Sequence, residues 1–338
     1  MRRGPRSGLY TIAAVHSTAL GPALGGCRMW QYEDRRAAVR DGLRLSRGMT
    51  FKSAVAGLLL GGGKGVIVLP AGTPVPTGRR RRAVLLDFAE TVEMLDGRYV
   101  TAEDVGTATR DMRVIAEGTR HVTGLPVSAG GSGDPSPWTA RGVEAAILAS
   151  CERAFGSASL AGRSVAVVGL GHVGLALARL LARRRATLVV SDIDPRRRAA
   201  AEQLGARWVT PGRALTAAVD VLAPCALGGI LDHRSVERLQ AGVVAGAANN
   251  QLADESVADL LAARGILWAP DFVANAGGII NISVELEPGG YDRARARARV
   301  AGIGDTVRRV YDDAAGAGLT PLAAAMELAS RRLAGASA

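Results

Sequence analysis

The run Ser164-Val165-Ala166-Val167-Val168 ends directly in Gly169-Leu170-Gly171-His172-Val173-Gly174. Leu177, Leu180 and Leu181 then recur at helical spacing, Thr187–Ser191 is again β-rich, and it ends at Asp192, 23 residues beyond Gly169. Strand, glycine turn, helix, strand and acid at these distances specify a βαβ unit that binds a dinucleotide. Gly169 serves the tight turn, Gly171 lets a phosphate approach the backbone, and Gly174 lets the helix press on the strand. The helix start adds free N–H groups and the positive end of its dipole. The expected cofactor contacts are therefore Gly169, Leu170, Gly171, His172, Val173 and Gly174, with Asp192 at the ribose and Ile193 next to it. A carboxylate at Asp192 repels a 2′-phosphate, so NAD is expected over NADP. Arg196, Arg197 and Arg198 lie just beyond and would soften that discrimination.

Further alternation through Val219–Leu222, Val243–Gly246 and Ile266–Trp268 extends the unit to a doubly wound α/β domain with a parallel sheet. Residues 124–137 are rich in Gly and Pro and make the best boundary. The reading is α/β with two domains. An N-terminal α/β domain, 1–133, would carry substrate and catalytic groups. A Rossmann-type domain would span 134–317, and a last helix over about 318–338 would pack back on the first. In the N-terminal part, 9–16 reads as a strand, Leu20–Gly26 as a loop and 34–48 as a helix with Lys52 just after it. Gly61–Lys64 reads as a turn before a short strand Val66–Leu69. Residues 80–96 read as a helix, and Tyr99-Val100 as a strand leading into Thr101–Asp104.

Residue usage narrows the site. Of 42 basic residues, 40 are Arg, and the two lysines, Lys52 and Lys64, stand 12 apart. Lysine can give up its proton when its surroundings favour the neutral amine, and arginine cannot. A chain that otherwise uses Arg keeps Lys where that chemistry, or its shape, is needed. The four asparagines, Asn249, Asn250, Asn275 and Asn281, likewise fall within 33 residues, which suggests a second half-site of uncharged donors and acceptors.

The net charge of +11 is spread along the chain, and the clusters Arg79–Arg82 and Arg183–Arg185 are short, so no nucleic-acid partner is expected. No metal-ligand spacing joins the four histidines and three cysteines. Widely spaced Cys27, Cys151 and Cys225 fit free thiols in a reducing, cytoplasmic compartment, and no apolar run approaches a membrane span.

Several segments together resemble one family. They are Leu20–Met29 (LGPALGGCRM), Gly48–Lys52 (GMTFK), Gly61–Lys64 (GGGK), Thr101–Gly106 (TAEDVG), Ala223–Gly229 (APCALGG), Gly246–Asn250 (GAANN) and Ala269–Gly278 (APDFVANAGG). With the Gly169 fingerprint, they are similar to the leucine, phenylalanine and valine dehydrogenases, relatives of glutamate dehydrogenase, over roughly residues 8–335.

The resemblance implies two domains with a cleft between them, and NAD-dependent oxidative deamination of a hydrophobic L-amino acid to its 2-oxo acid. By it, Lys64 is the base that activates water, Asp104 exchanges protons with the amine, and Lys52 pairs with the α-carboxylate. Gly26, Met49 and Ala102 would line the side-chain pocket, and Asn249 and Asn275 the same substrate site. Arg28, Thr139, Ala226, Leu227, Ala247, Ala248 and Asn249 match cofactor-contact positions. Ala102 follows the leucine-type pattern, so leucine or valine is favoured. The stretch Trp268–Gly278 looks more like phenylalanine enzymes, which keeps phenylalanine or tryptophan, including use in specialised metabolism, as the alternative. Glutamate is disfavoured, since no further lysine is present for its side chain. A homo-oligomer, dimer or higher, is implied. The competing class is an NAD-binding regulator without turnover, against which the retained Lys52, Lys64 and Asp104 argue.

Overall fold

The most buried segment of the first half is Gly61–Leu69, in which every residue is withdrawn from solvent. A computed structural model describes residues 1–336 of the chain and divides it into two compact units. The first comprises Met1–Pro135, Asn281–Arg293 and the described part of Ala329–Ala338, and the second Ser136–Ile280 and Ala294–Leu328. The grouping thus breaks at Pro135/Ser136 and returns to the first unit twice, at Asn281 and at Ala329, where the sequence reading put one boundary near 133 and one return near 318.

Among the described residues the first unit holds β1 (Arg2–Arg3), β2 (Tyr10–Ser17), β3 (Ala23–Tyr32), β4 (Gly61–Pro70) and β5 (Tyr99–Glu103) in one sheet of order β1-β2-β4-β3-β5. β2 runs antiparallel to β4, while β3 is parallel to both β4 and β5. Pleating sends alternate side chains to opposite faces. Cys27, Met29, Ile67 and Leu69 point to one face and pack with Leu85, Phe88, Val92, Met112 and Ile115 of the helices Gly78–Glu93 and Thr109–Ile115. Ile12, Val66 and Val68 point to the other and meet Ala38 of the helix Arg35–Val55. Each large side chain so buried contributes about 2 kcal/mol.

Two local expectations are corrected. The triple glycine is not a turn: Gly61, Gly62 and Gly63 lie inside β4, and none has a positive φ. They are there because neighbours come too close for a side chain. A Cβ on Gly61 would sit 1.9 Å from the Ser17 carbonyl oxygen, on Gly62 2.1 Å from the Thr50 nitrogen, and on Gly63 2.5 Å from the Tyr99 ring. Gly25 and Gly26, expected in a loop, are likewise inside β3, where a Cβ on Gly25 would meet the Gly63 carbonyl oxygen at 1.7 Å. Glycine-rich sequence reads locally as a turn, but here it marks close backbone approach.

The helix predicted over 34–48 extends to Val55. Asp34 caps it, accepting from the Ala37 N–H at 2.6 Å. Interior Gly48 costs about 1 kcal/mol of helix propensity. The last turns offset this by burying Thr50, Ser53, Ala54 and Val55. Lys52 therefore sits in the final helical turn, where its charge suits the negative dipole end.

In the second unit β6 (Ser164–Val168), β7 (Thr187–Ser191), β8 (Arg207–Trp208), β9 (Val221–Pro224), β10 (Val243–Val244) and β11 (Leu267–Trp268) form a parallel sheet of order β11-β10-β9-β6-β7-β8. Three strands wind one way from β6 and three the other way from β9. This is the Rossmann order, with its switch point between β6 and β9. β6, β7, β9 and β10 are near-continuous Val, Leu and Ala runs, buried along almost their whole length as strands of a parallel sheet are.

Candidate active site

In the first unit the pleat gathers the predicted substrate-side residues on one sheet face. Val66 and Val68 face the helix Arg35–Val55, so Lys64, two residues earlier, does too. The same alternation in β3 and β5 puts Gly26 and Arg28, and Ala102 and Asp104, on that face, opposite Cys27, Met29 and Tyr99. Gly26 pairs across the ladder with Ala102, which is buried. A Cβ on Gly26 would lie 2.4 Å from the Glu103 carbonyl oxygen and 2.8 Å from Asp104 Cβ, so the strand there admits only glycine. Met49 and Lys52 stand half-buried on the helix.

Lys64 is 4% exposed, and its Nζ lies 2.8 Å from Asp104 Oδ2. Arg28 Nε lies 3.0 Å from that same oxygen. Burial pushes the Asp104 carboxyl upward, but Lys64 and Arg28 outweigh it and hold the acid at about 2. A buried amine against an ionised carboxylate can pass a proton over one hydrogen bond. The Asp104 backbone is fixed as well: its N–H donates to the Thr107 hydroxyl at 2.9 Å, and that hydroxyl donates to the Cys27 carbonyl at 2.8 Å.

In the second unit the predicted cofactor residues collect at the carboxyl ends of the strands. Gly169 has φ +101°, a conformation open to glycine. A Cβ on Gly174 would sit 1.9 Å from the Gly169 carbonyl oxygen, whereas one on Gly171 would meet nothing within 4 Å. The first two neighbours are locked together, and the Gly171 backbone is left approachable. Gly171 is the N-cap of the helix His172–Arg183. Asp192 ties the glycine turn to the end of β7, its Oδ2 accepting from the Leu170 N–H at 2.6 Å and its Oδ1 from the Asp194 N–H at 2.8 Å. Ile193 beside it is 90% exposed. Ala226 lies against Gly169, where a Cβ would be 2.8 Å from its own. Leu227 is exposed in the loop that closes on Asn250 through a Gly229 N–H bond of 2.7 Å. Thr139 stands near the start of the helix Ser136–Phe155, against Gly277.

The asparagines meet as well. The Asn275 side-chain amide donates to Asn249 Oδ1 at 2.9 Å and to the Ala247 carbonyl at 3.2 Å. Asn275 Oδ1 is buried and, among the described residues, has no hydrogen-bond partner.

Sequence reasoning did not find the residues that hold these groups. Gln251 is fully buried and donates to the Gly246 and Ala248 carbonyls while accepting from Trp268 Nε1 at 3.1 Å, which shapes the loop carrying Ala247–Asn249. Asp41 and Tyr32 stand behind Arg28. No spacing signals an acid on a helix as the partner of an arginine on a strand.

A profile described as "Glu/Leu/Phe/Val dehydrogenase, dimerisation domain" matches residues 1–121, and one described as "Glutamate/Leucine/Phenylalanine/Valine dehydrogenase" matches residues 194–338. The leucine dehydrogenase of Thermoactinomyces intermedius is 45% identical over 334 residues, 98% of this chain and 89% of that protein. The chain belongs to the Glu/Leu/Phe/Val dehydrogenase family. It is an amino-acid dehydrogenase, and its second unit is a dinucleotide-binding domain. The valine dehydrogenase of Streptomyces virginiae is also 45% identical, covering 97% of this chain and 90% of that protein. The crystal structure of L-tryptophan dehydrogenase from Nostoc punctiforme superimposes with a TM-score of 0.83 at 39% identity, covering 98% of this chain and 94% of that one.

Proposed function

We propose that the enzyme oxidatively deaminates a hydrophobic L-amino acid of the leucine or valine kind to its 2-oxo acid, ammonia and NADH, with Lys64 as general base. The observation that carries this reading is the 2.8 Å contact of Lys64 with Asp104, on the sheet face that also bears Gly26 and Ala102. Lys52 binds the substrate α-carboxylate by its charge. Asp104 takes up and returns the proton of the substrate amine. Lys64, as the neutral amine, takes a proton from the water that adds to the substrate imine, and the carbinolamine then expels ammonia. Met49 and Ala102, with side-chain-free Gly26, shape an apolar pocket. No further lysine is present to pair with an acidic side chain.

The second unit fits NAD. The open Gly171 backbone at a helix start suits the pyrophosphate, Asp192 suits the ribose hydroxyls, and Ile193 and Leu227 offer exposed apolar surface. When bound, NAD supplies the hydride acceptor. The residues that would hold it are Gly169–Gly174, Asp192, Ile193, Thr139, Arg28, Ala226, Leu227, Ala247, Ala248 and Asn249. Asn249 and Asn275 serve the substrate, and the buried, unpartnered Asn275 Oδ1 is an acceptor suited to an N–H of the bound molecules.

A substrate with an aromatic ring is the second reading, favoured by the similarity to L-tryptophan dehydrogenase. A homo-oligomer is the proposed assembly, supported by the match to a family model described as a dimerisation domain. A cytoplasmic, reducing location suits three unbridged cysteines, and among the described residues no helix is long and apolar enough to cross a membrane.

The test is initial-rate NADH formation at alkaline pH with leucine, valine, isoleucine, phenylalanine and tryptophan, and with NADP in place of NAD. Turnover fastest on the aliphatic three and with NAD supports the reading. Turnover only on the aromatic pair shifts it to the second, and none on any overturns it.

A further inference from the structure

Asp104 does not face Lys64 alone. The oxygen that lies 2.8 Å from Lys64 Nζ is also 3.0 Å from Arg28 Nε. The far side of that guanidinium, Nη1, donates to Asp41 Oδ2 at 3.1 Å. Asp41 is gripped in turn by the Tyr32 hydroxyl at 2.8 Å and by Arg44 Nη2 at 2.9 Å. The contacts therefore run from β4 through the end of β5 and β3 to the helix Arg35–Val55. Side-chain exposures of 24% at Asp104, 21% at Arg28 and 18% at Asp41 place the array where salt screens it only in part.

We infer that Arg28 is a positioning residue for the reaction: it shares the Asp104 carboxylate with Lys64, and Asp41, braced by Tyr32, locks Arg28 in place to do so. The inference rests on the reading of Lys64 and Asp104 as the catalytic pair. Its consequence follows from charge. A second cation on the same oxygen divides the carboxylate's negative charge between two partners and stops it from swinging.

The other titratable groups around Asp104 do not compete. Burial pushes the Cys27 thiol and the Tyr99 phenol well up, so both stay neutral. Asp111, on the helix Thr109–Ile115, is taken by Arg81 at 2.6 Å. Lys52 sits on the last turn of the helix whose second turn carries Asp41.

The test is the pH dependence of kcat in wild type, Arg28→Gln, Arg28→Lys and Asp41→Ala, with thermal melts confirming that each is folded. Lys64→Ala and Asp104→Asn probe the underlying reading in the same assay. Arg28→Gln should lower kcat about tenfold and raise the pH of half-maximal kcat by about half a unit or more. Arg28→Lys keeps the charge but cannot span both carboxylates. Its midpoint should stay near wild type while kcat falls, and it carries the test should Arg28→Gln not fold. Asp41→Ala should lower kcat several-fold with both Michaelis constants within about twofold of wild type. Wild-type kcat and midpoint in Arg28→Gln, or wild-type kcat in Arg28→Lys or Asp41→Ala, overturns the inference. So does a rise confined to the Michaelis constant for NAD, which would make Arg28 a cofactor contact only. If Lys64→Ala and Asp104→Asn lose turnover while the Arg28 variants do not, only this inference falls. If those two keep turnover, the reading beneath it falls.

Discussion

Asn275 spends its side-chain amide on Asn249, 2.9 Å away, and leaves its own carbonyl oxygen buried with no partner among the described residues. An unmet acceptor at 5% exposure costs roughly 1–3 kcal/mol, a cost that the proposed substrate-side role of Asn275 would offset.

Asn275→Ala removes that acceptor and the hydrogen bond to Asn249 Oδ1. We expect kcat/KM for the amino acid to fall about ten- to a hundredfold, with a drop in Tm smaller than a core truncation would give. Steady-state kinetics alongside a thermal melt check this. Wild-type kcat/KM would show that the pair is only structural.

Gly174 and Gly171 stand three residues apart but should respond oppositely to alanine. At Gly174 a Cβ would be 1.9 Å from a backbone oxygen, so Gly174→Ala must push helix from strand, costing about 2 kcal/mol or more in stability. At Gly171 the space is open and φ is −62°, so Gly171→Ala should fold with near wild-type stability and lose dinucleotide affinity. Denaturant melts and NADH fluorescence titration separate the two. Equal stability losses would contradict the assignment.

Asp104 links the site to acid stability. Its carboxyl is held at about 2, below its ordinary 3.8, with burial opposing and Lys64 and Arg28 prevailing. A depressed folded-state value contributes stability that is present above about pH 4 and lost as pH falls toward 2, roughly 2 kcal/mol in all. The stability gap between wild type and Asp104→Asn, measured by urea titration, should therefore narrow from pH 5 to pH 2.5. A gap that stays constant over that range would mean Asp104 is not held ionised by its partners.

What could be read beforehand and what could not divide along physical lines. The second unit was legible because the glycine fingerprint, the Val- and Ala-rich strands and Asp192 each demand the same βαβ geometry, and β6, β7 and the helix between them fall where expected. Lys64 and Asn275 stood out in the sequence through scarcity, and in the structure they lie against Asp104 and Asn249. The strand character of Gly61–Gly63 was not, because the force that selects glycine there comes from Ser17, Thr50 and Tyr99, distant in sequence. Nor was the true end of the helix Arg35–Val55, set by burial on β4 against the preference of Gly48. The Arg28–Asp41 contact joins a strand to a helix and leaves no periodic trace in either.

The most direct measurement is single-substrate turnover of Lys64→Ala, with NAD affinity measured on the same preparation. A base at this position supplies a factor of about 10²–10⁴, so NADH formation should fall by at least a hundredfold while NAD binding stays at the wild-type level. Wild-type turnover by Lys64→Ala would contradict the account.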